Sequence, residues 1–199
     1  MTGRLGSLLR HIRNDRRGTS VVEFGFVLIP MTLTLTLGID IGYQAYVRAV
    51  VSGALEKASR STTVQNANST TIETALTDNI HAVMPGATVT IAKGTFYKYS
   101  QMDTMERLTT DTNSNNVLDV GDCWEDVDDD STRNIVSAGK AGIGAADDIV
   151  RYTVTTTYPR LMPVYALAGM SPNATVRSTT LVKRQPYAAQ LAPTIRCRP

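Results

Sequence analysis

From Phe24 to about Tyr43 the chain is almost continuously apolar. As a helix rising about 1.5 Å per residue, a run of roughly 20 positions matches the ~30 Å hydrocarbon core of a bilayer. Within it, Thr32-Leu33-Thr34-Leu35-Thr36-Leu37 alternates as a strand does. A lone strand cannot satisfy its backbone in lipid, whereas a helix can, so one spanning helix over about residues 21–43 is expected. Threonine hydroxyls can return to the carbonyls one turn earlier, and Pro30 should bend the helix by removing one ladder bond. Asp40 and Arg48 mark the exit from lipid, and helical periodicity continues to about Arg60. Gly38, Gly42, Ala45, Ala49 and Gly53 recur at intervals of three or four, a small-residue face suited to close helix approach.

After Ser61 the pattern becomes polar, rich in Thr, Asn and Ser through Thr71. Thr70-Thr71-Ile72-Glu73 fits a capping box, and Ile72, Leu76, Ile80 and Val83 form the apolar stripe of a short second helix ending before Pro85-Gly86. Three later stretches have strand character: 87–99, with an interruption at Gly94; 149–158; and 174–184. Pro159 to Gly169 reads as a short helix or apolar crossover, Gly139 to Gly144 as a flexible connector, and the tail after Pro186 as extended. The fold class is therefore α+β, a long N-terminal transmembrane and amphipathic helix packed on a small antiparallel sheet. The chain divides into 1–18, 19–60 and a head of 61–199, the last about 140 residues and enough for one modest core.

Charge sharpens this division. The first 18 residues carry five arginines against Asp15, a net +4, so the overall +2 leaves −2 for the remainder. The basic balance belongs to the N-terminal end, which by the positive-inside tendency stays cytoplasmic while the head is translocated. Outside that end Lys and Arg are scattered, with no basic stripe interleaved with aromatics, so nucleic acid is not an expected partner. Glu23 stands at the mouth of the apolar run, where an unpaired acid costs about 2.5–3.5 kcal/mol on insertion scales. A cut after Gly18 would give Thr19 an α-ammonium to pair with a Glu23 carboxylate on an adjacent subunit. An uncleaved signal anchor is the plainer alternative. Ordinary signal-peptide cleavage is weaker, since no small-x-small site stands before Asp40.

Arg16-Arg17-Gly18-Thr19-Ser20-Val21-Val22-Glu23-Phe24 resembles the class III leader of type IV pilin-like proteins, most closely the TadE-like minor pilins of tight-adherence (Flp) pilus systems. The resemblance implies a pilin-like fold, cleavage between Gly18 and Thr19 by a prepilin peptidase, and an assembly role for Glu23. Phe24 replaces the tyrosine common at that position in major Flp pilins, and the greater length of the chain favours the minor class. The implied partners are other pilins, the assembly platform and the membrane. The implied location is the bacterial inner membrane, with the head periplasmic, and the pilus or cell surface where the protein enters the filament. With the helix face of Gly38 and Gly42 as docking seam, the expected function is assembly of the pilus and, through it, surface adhesion. The alternative is a calcium-stabilised, membrane-anchored adhesin outside any pilus.

Residues 111–130 contain eight acids and no base. Asp111, Asn113, Asn115, Val117 (through its carbonyl), Asp119 and Asp122 fall at positions 1, 3, 5, 7, 9 and 12 of a calcium loop, with Asn116 in place of the usual glycine at position 6. Asp122 in place of glutamate resembles dockerin-type loops. A second window opens at Asp126-Val-Asp128-Asp-Asp130 but carries Ser131 at position 6 and Ser137 at position 12, and the whole acidic insertion spans 111–137. The competing reading is a solvated acidic loop. Cys123 and Cys197 suit one disulfide in a translocated head; two separate buried thiols are the alternative. Trp124 is expected to pack over the bridge or the core. His81 is expected at the surface or in packing, and the only other histidine, His11, lies in the leader. No nucleophilic triad, phosphate loop or zinc motif appears, and the density of the acids favours metal over glycoside chemistry, so an enzyme is not expected.

Overall fold

A computed structural model describes residues 18–166 and 169–199; all of the expected leader, 1–18, except Gly18 lies outside them. Helix α1 runs from Thr19 to Thr62, two residues beyond the expected end, and includes Pro30. Its threonines behave as their setting requires: the Thr32 hydroxyl donates to the Leu28 carbonyl at 2.8 Å, Thr34 to Pro30 at 2.8 Å and Thr36 to Thr32 at 2.7 Å. These hydroxyls are thus satisfied inside their own helix, as a lipid setting would require. By length and composition α1 can cross a membrane.

The chain clusters into two units, Met1–Tyr43 with Arg160–Pro172, and Gln44–Pro159 with Asn173–Pro199. In the first unit the expected short helix is a 3₁₀ turn at Pro163–Ala166. Arg160 Nη1 donates to Asp40 Oδ2 at 2.7 Å, and both side chains are largely buried. Asp40, read from sequence only as an exit marker, is thus one half of an ion pair, the arrangement that makes a buried acid tolerable.

In the second unit, helix α2 spans Ser69–His81 and buries Ile72, Leu76 and Ile80, as their spacing predicts. The capping box is displaced, however. Asn68 is the N-cap, its Oδ1 accepting the Thr71 N–H at 3.1 Å, while Glu73 pairs with the Ser69 hydroxyl and Lys93. Asparagine is as good a cap as threonine, and Lys93 offers Glu73 a charge. His81 Nε2 donates to the Ala87 carbonyl at 3.0 Å, a packing role.

Strands β1 (Thr88–Phe96), β4 (Ile149–Pro159) and β5 (Asn173–Lys183) form an antiparallel sheet in the order β1-β4-β5. The register sets Thr88 opposite Thr157, Phe96 opposite Ile149, and Val154 opposite Ser178. Alternate residues Val150, Tyr152, Val154, Thr156 and Tyr158 of the central strand are buried, with Ala174 and Val176 beside them. The end of α1 contributes Val47, Val51, Leu55, Ala58 and Thr62, a buried stripe at helical spacing, and the Ser52 and Ser178 hydroxyls lie 3.1 Å apart. Each buried Val or Leu is worth about 1.5–3 kcal/mol, which makes this layer the main core of the unit.

Two expectations needed correction. Strand β1 is not interrupted at Gly94, and 139–144 is no loose connector. Lys140 exchanges both backbone hydrogen bonds with Thr95, at 2.8 and 2.9 Å. The tail also does more than extend. Strand β6 (Thr194–Cys197) pairs with β3 (Cys123–Asp126), which pairs with β2 (Leu108–Thr110), giving a second antiparallel sheet. Beside it Phe96, Val127, Val136 and Ile149, with Met102, make a smaller apolar cluster.

Candidate functional site

The N-terminal features lie on one helix. The Gly18 carbonyl accepts the Val22 N–H at 3.2 Å, so helical bonding begins at the residue preceding Thr19. Glu23 is exposed between Val21, Val22, Phe24 and Phe26, each more than half exposed. Among the described residues no ion pair includes Glu23. A β-carbon built at Gly38 or Gly42 meets nothing within 4 Å, so the chain's own packing does not require glycine at either position.

The second feature is the acidic stretch, which β3 divides into two loops. In the first, Asp111 accepts the N–H groups of Asn115 (3.3 Å) and Asn116 (2.8 Å). Asn113 Oδ1 accepts Asn115 N–H and Asn115 Oδ1 accepts Val117 N–H. The amides of both asparagines donate to Asp119 Oδ2 at 2.8 Å. Asn116 has φ +58°, the left-handed conformation expected of position 6. Asp122 is buried, and the Thr112 and Asp119 N–H groups and the Thr112 hydroxyl hold its carboxyl below the ordinary range against the effect of burial.

The second loop repeats the first. Asp126 accepts the N–H groups of Asp130 and Ser131, both at 3.1 Å; Asp130 accepts Thr132 N–H; and the Asn134 amide donates to Asp130 Oδ2. Positive φ falls at the fourth and sixth positions of each loop, Ser114 and Asn116 in one, Asp129 and Ser131 in the other. Ser131 therefore takes the turn without a glycine. Arg196, one strand away, binds Asp126 and Asp129.

Sequence reasoning missed Glu106, which lies just before β2. It is 2% exposed. Its Oε1 accepts the Val127 N–H at 2.6 Å, and its Oε2 has no hydrogen-bond partner among the described residues. One carboxylate oxygen from each of Glu106, Asp126 and Asp128 lies within 4.8 Å of the others. Burial pushes the Glu106 carboxyl up, opposed by the Val127 bond and reinforced by the charges of Asp128 and Asp126. Burial also raises Asp128, as do the charges of Asp130 and Asp126. No sequence spacing points to Glu106, because it reaches the second loop across strands.

Cys123 and Cys197 form the expected disulfide, directly opposite each other on β3 and β6 and 74 residues apart in the chain. Trp124, the next residue, is buried as expected.

Residues 18–60 match the family described as TadE-like protein. No curated protein and no solved structure matches the chain. The family match opens at Gly18, one residue before α1, and takes in nearly all of that helix, Glu23 and both open glycines included. Over residues 18–60, then, the chain is similar to the TadE-like family, a match that suggests involvement in the Tad/Flp pilus system.

Proposed function

We propose that this protein is a minor pilin taking part in assembly of a tight-adherence pilus and so in surface adhesion. The observation that carries the reading is the exposed Glu23 carboxylate, one helical turn after Thr19 on an apolar helix and without an ion-pair partner among the described residues. In lipid such an acid needs a positive charge, and the α-ammonium released by cleavage after Gly18 is the right one for a neighbouring subunit to supply. A prepilin peptidase makes that cut, the arginine-rich leader lies in the cytoplasm, and the head lies in the periplasm. Other pilins dock along the face of Gly38 and Gly42, where the lack of side chains admits a neighbouring backbone. A calcium ion on the 111–122 loop steadies the head, a role supported by the left-handed Asn116 and by acids otherwise left to repel one another.

Replacing Glu23 tests the assembly role. In Glu23→Ala, pili are lost while the protein persists in the membrane at its normal level. Undiminished piliation would contradict the proposal, and loss of attachment alone would favour the membrane-anchored adhesin.

A further inference from the structure

We propose that Glu106, Asp126 and Asp128 form a divalent-cation site, selective for calcium, that clamps the segment before β2 to the second acidic loop. The inference rests on the head alone and stands independently of the assembly reading. Two observations meet here. Three carboxylates from separate parts of the chain bring an oxygen each within 4.8 Å of the others. Glu106, almost wholly buried, keeps one oxygen without any hydrogen-bond partner among the described residues, and a buried oxygen of Asp128 is likewise free. A buried carboxylate oxygen left unpaired is costly, and burying like charges together multiplies the cost, so something must compensate.

Size and charge identify the ligand. Oxygens on opposite sides of a calcium ion, each about 2.3–2.6 Å from it, stand about 4.6–5.2 Å apart, which the spacing here allows. Three carboxylates, met only by the Arg196 guanidinium that Asp126 shares with Asp129, leave an excess of negative charge for a divalent cation to offset. The donors are all oxygen, which selects a hard ion over zinc or copper, and three acids exceed the one or two that magnesium usually takes from protein. The loop is already turned for the task, with Asp126 at its first position and Asp128 at its third. What it lacks is an acid at its twelfth, where Ser137 stands. Glu106 supplies that carboxylate from outside the loop.

The test is a calorimetric calcium titration of the full chain in detergent micelles, with thermal melts in calcium and in chelator. Wild type, Glu106→Gln and Asp128→Asn are compared. Wild type binds calcium with a Kd of order 10⁻⁴–10⁻³ M, as extracellular modules do, and its Tm rises with calcium. Glu106→Gln weakens calcium binding at this site at least tenfold and loses the share of the Tm rise that the 111–122 loop does not give, yet in chelator it melts no lower than wild type, since it removes a buried charge. Asp128→Asn, at a partly exposed position, weakens binding in the same direction and serves if Glu106→Gln fails to fold. The absence of a saturable signal in wild type up to 10 mM overturns the site, as does a variant that binds as tightly as wild type.

Discussion

Gly94 sits in the middle of β1 with the carbonyl oxygen of Ala138 only 1.7 Å from where a β-carbon would be. The missing side chain lets the 138–140 segment close on the strand and exchange hydrogen bonds with Thr95. Gly139, at φ +72° against the Phe96 ring, completes that approach. Because the obstacle is backbone, Gly94→Ala should lower stability by the upper end of the about 1–3 kcal/mol typical of overpacking. Gly86→Ala, with nothing within 4 Å, should leave the Tm of the same melt nearly unchanged. In sequence, Gly94 announced itself only as a break. A glycine in a strand signals either a break or a close approach, and the partner that decides between them lies far along the chain. Arg184 was invisible for the same reason. It is buried, and it donates to the Ile143, Gly144 and Val64 carbonyls, which no local pattern brings together.

Among the elements, those long enough to carry a period were legible. The C-terminal part of α1, helix α2 and strand β4 bury the face their spacing marks, and the bounds of α1, α2, β1, β4 and β5 fall within a few residues of expectation. Strands β2, β3 and β6, of three or four residues, are too short to alternate convincingly and draw their stability from pairing across the chain. Only the two cysteines hinted that β3 and β6 meet. The disulfide should therefore hold the small sheet together. With 74 residues between its ends, the Cys123→Ser/Cys197→Ser variant should lose about 2–5 kcal/mol, read as a lower Tm and as tail cleavage at protease levels that spare the oxidised protein. Coincident melts of oxidised and variant protein would show that β6 is held by its backbone pairing alone. The candidate sites divide in the same way. The turns of the first acidic loop and the exposed Glu23 were readable because their residues are sequential, whereas the Glu106 cluster was not, because its members come together only after β2 and β3 pair.

For the molecule as a whole, what joins these features is the uneven distribution of charge and hydropathy along the chain. A basic N-terminal segment, an apolar helix with one acid near its start, and a net acidic remainder form an ordered series, the one that the proposed insertion, cutting and docking would use. The family match falls on the helix, and the paired acidic loops and the disulfide lie in the head beyond it. The central claim is that the helix begins life behind a leader and works without it. The most direct measurement is the N-terminal sequence and intact mass of the protein recovered from its native membrane, with and without the prepilin peptidase. An N-terminus at Thr19 that depends on the peptidase is the predicted result; a chain that still begins at Met1 when the peptidase is present would contradict it.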